Sequence, residues 1–404
     1  MSLVVFFMSF IPRLLYWLLN PPDPRSFFST IYWRLSEGLL KNGTLSVNGR
    51  VTTTVEPVYP LFLAVIRKLT QDRLTLVMAV QWAVCSIGAV YLYKLTLLLS
   101  RDRRAAILAA AYYSFYPYLI HQSVRVIEIP ILMTLLVIAT YRYCRVENPR
   151  SSLSCGFTLG LTILARAALL PLWIGAVVFL LLKKRVLHAC LAAWAAALVI
   201  TPFWFWSYTR SGALLPTRAG WDLFKGNCEY SDKVIPFYAT DLLNSYVSGV
   251  LVRERPDLLS AGRAGEKAID EFYRDKAIQF MKTHPARTFK LKLRNIAYFL
   301  SPRIIPYYPL NASPRPPAVE WLHAAFSGFI LITAAAGMYF RRKEWEKDFL
   351  LYWTLALYLI TYSVFCPSTR HRVSMDFIFM FYSACAVRRL AGNWALTTKA
   401  VVLN

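Results

Sequence analysis

The feature that most constrains this chain is a series of apolar runs of bilayer-crossing length, each closed by basic residues. Leu74–Leu99 carries a single charge, Lys94, and stops at Arg101, Arg103 and Arg104. Leu187–Tyr208 carries no Lys, Arg, Asp or Glu, and Val319–Phe340 carries only Glu320 before Arg341, Arg342 and Lys343. Runs of this length match the hydrocarbon thickness of a membrane. Over the 404 residues, 57% are hydrophobic and 17% charged, more apolar surface than a soluble domain of this size can hide. The expected fold class is therefore an all-α polytopic membrane protein. A transmembrane barrel is excluded, since its strands would be short and alternating.

Charge sets the expected topology. The formal charge of +24 comes from 46 Lys and Arg against 22 Asp and Glu, and much of the excess lies in short clusters beside the apolar runs. That pattern is the positive-inside rule rather than a nucleic-acid footprint, so membrane lipids are expected as partners and nucleic acid is not. Met1–Leu19 reads as a retained first span. Residues 152–182 read as two short spans broken near Arg166, which places every basic cluster on one face. The result is about ten spans with both ends cytoplasmic. Three units follow: an N-terminal membrane module 1–208 with an outer loop at 20–56, an extracytoplasmic block 209–317, and C-terminal spans with a cytoplasmic tail, 318–404.

The outer block is patterned. Ala268, Phe272, Ala277, Phe280, Phe289, Leu293 and Phe299 recur at helical spacing among basic residues, and Pro285 divides them into two amphipathic helices. Ile31–Leu40 reads as a shorter interfacial helix. Prolines from Pro302 to Pro317 break the chain before the next span, and Asn311-Ala312-Ser313 matches a glycan-acceptor pattern. The seven cysteines form no CxxC pair and no zinc spacing, so neither a metal nor a cofactor is expected. Cys228 and Cys366 both fall in outer segments and are a candidate pair.

Large outer loops on a multispan scaffold suit chemistry where membrane meets outside water. Sugar transfer from a polyprenyl-phosphate carrier needs cations for phosphate, best supplied as arginine, and a carboxylate base near the acceptor. Glu56 stands where the first outer loop meets the membrane; it is a candidate base or an ordinary loop carboxylate. Asp23 lies between prolines outside the first span, a candidate base or a turn residue. Glu128 opens an apolar run, where a carboxylate is costly and functional by default, unless it pairs with Arg125. Arg166 interrupts a thirty-residue apolar stretch and needs a buried acid or a phosphate. Arg370 and Arg372 stand together between the last two spans as a candidate phosphate clamp or an interfacial belt. Lys225 and Asn227 flank Gly226 in an expected tight turn that could contact sugar or phosphate.

Several motifs in order resemble one family. They are Glu56-Pro57-Val58-Tyr59-Pro60-Leu61-Phe62-Leu63-Ala64, the acid Glu128, Gly160-Leu161-Thr162-Ile163-Leu164-Ala165-Arg166, Gly226-Asn227, the helix ending in His284-Pro285, and Arg370-His371-Arg372-Val373. Together they resemble the C-type superfamily of membrane glycosyltransferases, in particular the bacterial branch of protein O-mannosyltransferases and lipid A aminoarabinose transferases. The resemblance implies that fold, and a membrane enzyme that moves a sugar, with inversion, from a polyprenyl-phosphate-sugar donor to a cell-envelope glycan, lipid or protein. It implies site roles for Glu56 and Glu128, and Asp23 stands beside them as a candidate catalytic acid that could substitute for an aspartate the family carries. Substrate contacts would come from Arg166, Arg370, Arg372, Lys225, Asn227 and Tyr59. It also implies a bacterial plasma-membrane location with the site facing outward. Where the family carries an aspartate in the first loop, this chain has Phe28 and Ser29. The alternatives are a polyprenyl-diphosphate-glycan ligase or polymerase, a transporter, and a non-catalytic glycolipid-binding relative.

Overall fold

The computed structural model describes residues 1–21, 23–260, 262–307 and 317–402. Pro309, Pro314, Pro316 and the Asn311 pattern lie outside the described residues. Apart from one two-stranded hairpin, the regular structure described is helical.

The membrane half begins with α1 (Ser2–Leu19), α2 (Ile31–Asn42), α3 (Val58–Thr70) and α4 (Leu74–Ser100). It continues with α5 (Arg103–Phe115), α6 (Pro117–Ser123), α7 (Ile129–Cys144), α8 (Pro149–Ala165), α9 (Leu170–Leu182) and α10 (Val186–Ser211). Among the described residues, four helices are long and apolar enough to cross a membrane: α1, α4, α10 and the segment Pro317–Glu344. Ile129–Cys144, Ala167–Leu182 and Phe349–Val364 are apolar but shorter.

Small residues let these helices approach closely. A Cβ on Gly156 of α8 would sit 2.2 Å from the Ala192 carbonyl oxygen of α10, so only glycine fits. Prolines set the breaks. Pro117 cannot continue α5, and the chain turns at Tyr116 into α6. Buried Arg13 of α1 donates through Nη1 to Ser9 Oγ at 2.9 Å and to the Ser114 carbonyl at 3.5 Å, placing a cation at the negative end of α5.

The loop at 20–56 holds α2 and a hairpin, Ser46–Val47 against Arg50–Val51, in antiparallel register. Asn48 and Gly49 both adopt positive φ, 51° and 77°, the turn that matches strand twist in a two-residue loop.

The polar block that begins at residue 209 contains α11 (Ala219–Gly226), α12 (Asn244–Glu254), α13 (Gly262–Thr283) and α14 (Pro285–Phe299), with the α13–α14 break at His284-Pro285. Phe224, Val247, Leu251, Tyr273 and Ala277 form its own apolar core. The chain then enters α15 (Pro317–Arg341), α16 (Phe349–Val364) and α17 (Phe377–Val402). Gly337 of α15 packs where a Cβ would meet the Tyr382 carbonyl oxygen of α17 at 2.0 Å.

The polar block is fastened to the end of α16 by polar side chains. Asn295 Nδ2 donates to the carbonyls of Ser363 at 3.0 Å and Phe365 at 3.2 Å, and Asn227 Nδ2 donates to that of Val364 at 2.9 Å. These are carbonyls a helix end leaves without internal partners. All seven cysteines are free, so the Cys228–Cys366 pair expected as one possibility is not formed.

Candidate active site

The break between α8 and α9 builds the centre of the site. Arg166 leaves the helix in an extended conformation, φ −156° and ψ 101°. Its guanidinium therefore swings away from the axis, and the next amide, Ala167, is free of the α8 ladder. That N–H donates to Glu56 Oε1 at 3.2 Å. Arg166 Nη1 donates to Glu128 Oε1 at 3.1 Å, and Nη2 donates to the Tyr362 hydroxyl at 2.8 Å and to His371 Nδ1 at 2.9 Å. Residues far apart in sequence thus converge on one guanidinium.

Glu128 caps the N-terminus of α7, where the helix dipole favours negative charge. It is 4% exposed and takes a second guanidinium, with Arg370 Nη2 at 3.3 Å from Oε1 and 3.2 Å from Oε2. Two arginines thus share one carboxylate, and Glu56 is the second carboxylate beside Arg166. Arg370 is the accessible one, its side chain 42% exposed against 18% for Arg166. Its Nε is buried without a partner in the protein. An anion with spare acceptors fits the exposed part of this guanidinium.

Glu56 is half-buried, and loss of water pushes its carboxyl above the ordinary glutamate value, against the opposing pull of Arg166 and the Ala167 N–H. His371 stacks on Tyr362, ring centroids 4.9 Å apart at 11°. Burial, together with Arg166, Arg370 and Arg218, holds its imidazole well below the usual histidine value. Its Nδ1 faces an arginine N–H, so the neutral ring accepts there and carries its proton on Nε2.

The loop that ends at Glu56 is held from behind. Glu266 Oε2 of α13 accepts from the Thr53 amide at 3.0 Å and from Thr53 Oγ1 at 2.9 Å, and the Thr217 amide donates to the Thr53 carbonyl at 3.2 Å. Three residues later the chain reaches Glu56.

The other candidates from the sequence lie elsewhere. Asp23 is exposed and caps the short helix Pro24–Phe28, accepting from the Arg25 amide at 3.0 Å. Tyr59 is buried, donates to Gln81 Oε1 at 2.7 Å and meets Tyr32 edge-on at 5.0 Å. It supports Tyr32, whose hydroxyl faces Glu128. Lys225, 2% exposed, sits 3.6 Å from Asp222 and 3.9 Å from Asp241 inside the polar block, and Asn227 belongs to the fastening on α16. The Arg370–Arg372 clamp does not form. Arg372 turns inward to Asp376 Oδ1 at 3.2 Å, Ser327 Oγ at 2.8 Å and the Phe299 carbonyl at 3.3 Å. The reason is spacing: Thr369–Arg372 is helical, and residues two apart on a helix point to different faces.

Tyr32, Tyr362 and His371 join the cluster without having been singled out as site residues. Only the Arg-His-Arg motif pointed near them, because aromatic residues are common at every span end of this chain. Among the described residues no group of His, Cys, Asp and Glu could hold a metal ion.

Comparison with known proteins adds three findings. Residues 54–206 match the family described as dolichyl-phosphate-mannose-protein mannosyltransferase, a stretch that contains Glu56, Glu128 and Arg166. No curated protein matches the chain. Among solved structures, the chain is similar to ArnT from Cupriavidus metallidurans. The form bound to undecaprenyl phosphate gives a TM-score of 0.41 at 13% identity, over 95% of this chain and 75% of that one. The apo form gives 0.41 at 12% identity, over 95% and 76%.

Proposed function

We propose that the protein is an integral-membrane glycosyltransferase that takes a sugar from a polyprenyl-phosphate carrier and passes it to a cell-envelope acceptor, at a site facing away from the cytoplasm. The observation that carries this reading is that Glu56 accepts from the Ala167 amide freed at the Arg166 break between α8 and α9, inside the stretch that matches the mannosyltransferase family.

The parts suit the reaction. The Glu56 carboxylate takes the proton from the acceptor hydroxyl or amine as that atom bonds to the anomeric carbon. The bond from that carbon to the phosphate oxygen breaks on the opposite face, and the lipid phosphate departs with the electron pair. Configuration inverts. Arg370, whose side chain is the more exposed of the two, meets the growing phosphate charge, and Arg166 backs it. Glu128 is the poorer base, since two guanidiniums hold it; its work is to fix both arginines. Asp23 has no part in this reading, so the position where the family carries a first-loop aspartate stays unfilled, and Glu56 serves as the sole base.

Purified protein in lipid, given a panel of radiolabelled polyprenyl-phosphate sugars and envelope extract, tests the reading. Label reaches an acceptor with wild type and not with Glu56→Gln. Binding of a labelled donor without transfer by wild type would favour the non-catalytic relative. Transfer only from a diphosphate-linked glycan would favour the ligase.

A further inference from the structure

The outer helix α14 has two faces, and the site uses one of them. Its inner face, Leu291, Asn295 and Phe299, is buried. Phe299 stacks on Tyr362 at 5.2 Å and 10°, and Asn295 takes the Ser363 and Phe365 carbonyls, so this face lies along the last turn of the apolar helix α16. The opposite face therefore looks away from the helix bundle at the level where α16 ends. It presents Phe289, 66% exposed, and one turn later Leu293, 55% exposed. Two large apolar side chains stacked on a helix face beside an apolar span are placed for lipid rather than water.

Charge identifies which lipid. From Lys276 to Phe299 the sequence has Lys276, Lys282, Arg287, Lys290, Lys292 and Arg294 and no acid. Lys276 pairs with Glu254, Arg287 pairs with Asp232 at 2.8 Å, and Lys292 is spent on Asn227 and the Val364 carbonyl. Lys282 and Lys290 are exposed and, among the described residues, have no carboxylate partner. They lie near Phe289 in sequence, on the helix end before His284 and on the next residue. We infer that the outward face of α14, with Phe289 and Leu293 as apolar anchors and Lys282 and Lys290 beside them, docks on anionic phospholipid headgroups.

The test places the photoreactive residue p-benzoylphenylalanine at position 289 of the full chain, in nanodiscs of equal parts phosphatidylglycerol and phosphatidylcholine. The same residue at Ile332, 75% exposed on α15, reports that lipid adducts form and are detected. After illumination, mass spectrometry of the protein shows phospholipid adducts at 289, with phosphatidylglycerol severalfold over-represented. The preference disappears in Lys282→Gln/Lys290→Gln. Position 293 repeats the measurement should the first variant misfold. Adducts to a second copy of the chain, or no adduct at 289 and 293 while 332 labels, would overturn the inference. Equal labelling of the two lipids would overturn it too, since the lysines would then select nothing.

Discussion

Arg370 and Arg372 stand two residues apart and enter opposite kinds of ion network. Arg372 is 1% exposed, and its partners Asp376, Tyr116, Ser327 and the Phe299 carbonyl surround it; the Tyr116 hydroxyl in turn donates to Asp376 Oδ2 at 2.6 Å. One cation meets one anion and the outside is shut out. Arg370 is partly exposed and shares its carboxylate with Arg166. A closed network fixes helices; one with an exposed member is suited to take a charged ligand. The two should therefore fail differently when cut.

The largest effect expected is on stability at Arg372. Removing one partner strands the buried Asp376 carboxylate, which costs about 3–5 kcal/mol. Arg372→Leu should lower the thermal midpoint in detergent sharply, read by loss of monodisperse elution after heating. Arg372→Leu/Asp376→Leu should recover much of it. If the double variant falls as far as the single one, the network is not the closed pair described.

Next comes activity at the open network. Glu56→Gln should cost about a hundredfold or more in transfer, the usual size of a lost general base, with a midpoint near wild type. Arg370→Ala should weaken donor binding with little loss of stability, because an exposed guanidinium adds little to folding. A stability loss at Arg370 as large as that at Arg372 would erase the distinction.

The comparison also shows what the sequence can carry. Glu128 and Arg166 were legible because a charge in an apolar run must find a partner, and each is the other's partner. The break at Arg166 was legible for the same reason. Arg372 was not separable from Arg370 by composition: both are arginines in one polar link, and only the helical turn at Thr369–Arg372 sends them apart. Tyr362 and His371 stayed hidden because their value lies in stacking across helices, which no local pattern records. The long α4 and α10 follow from hydrophobic runs alone, whereas the hairpin at Ser46–Val51 depends on a single Asn-Gly pair.

A third expectation separates catalysis from stability by pH. The Glu56 carboxyl titrates above 4.5, raised by burial. As a base it must be ionised, so transfer should climb as pH rises through that raised value. The folded state, however, holds the proton more tightly than the unfolded chain does. Its stabilising contribution is full below 4.5 and is lost as pH rises through the folded value. Rate and midpoint should move in opposite directions over one pH window, and Glu56→Gln should flatten that part of the midpoint curve. A rate that falls with rising pH in that window would remove Glu56 as the base.

The smallest effect expected lies outside both networks, at Asp23. Its carboxylate caps the five-residue helix Pro24–Phe28 through the Arg25 amide and touches neither arginine network. Loss of such a cap costs about 0.5–1 kcal/mol. Asp23→Ala should therefore shift the midpoint slightly and leave transfer near wild type, whereas Asp23→Asn, which still caps, should shift neither. The contrast with Glu56→Gln is the informative part. Both residues are carboxylates of the loop at 20–56. What ranks them is that Glu56 accepts from the amide freed by the Arg166 break, and Asp23 accepts only from its own turn. If Asp23→Ala abolishes transfer while Glu56→Gln preserves it, the base belongs to the exposed end of the loop, and the Arg166 break serves to hold helices rather than to place a carboxylate.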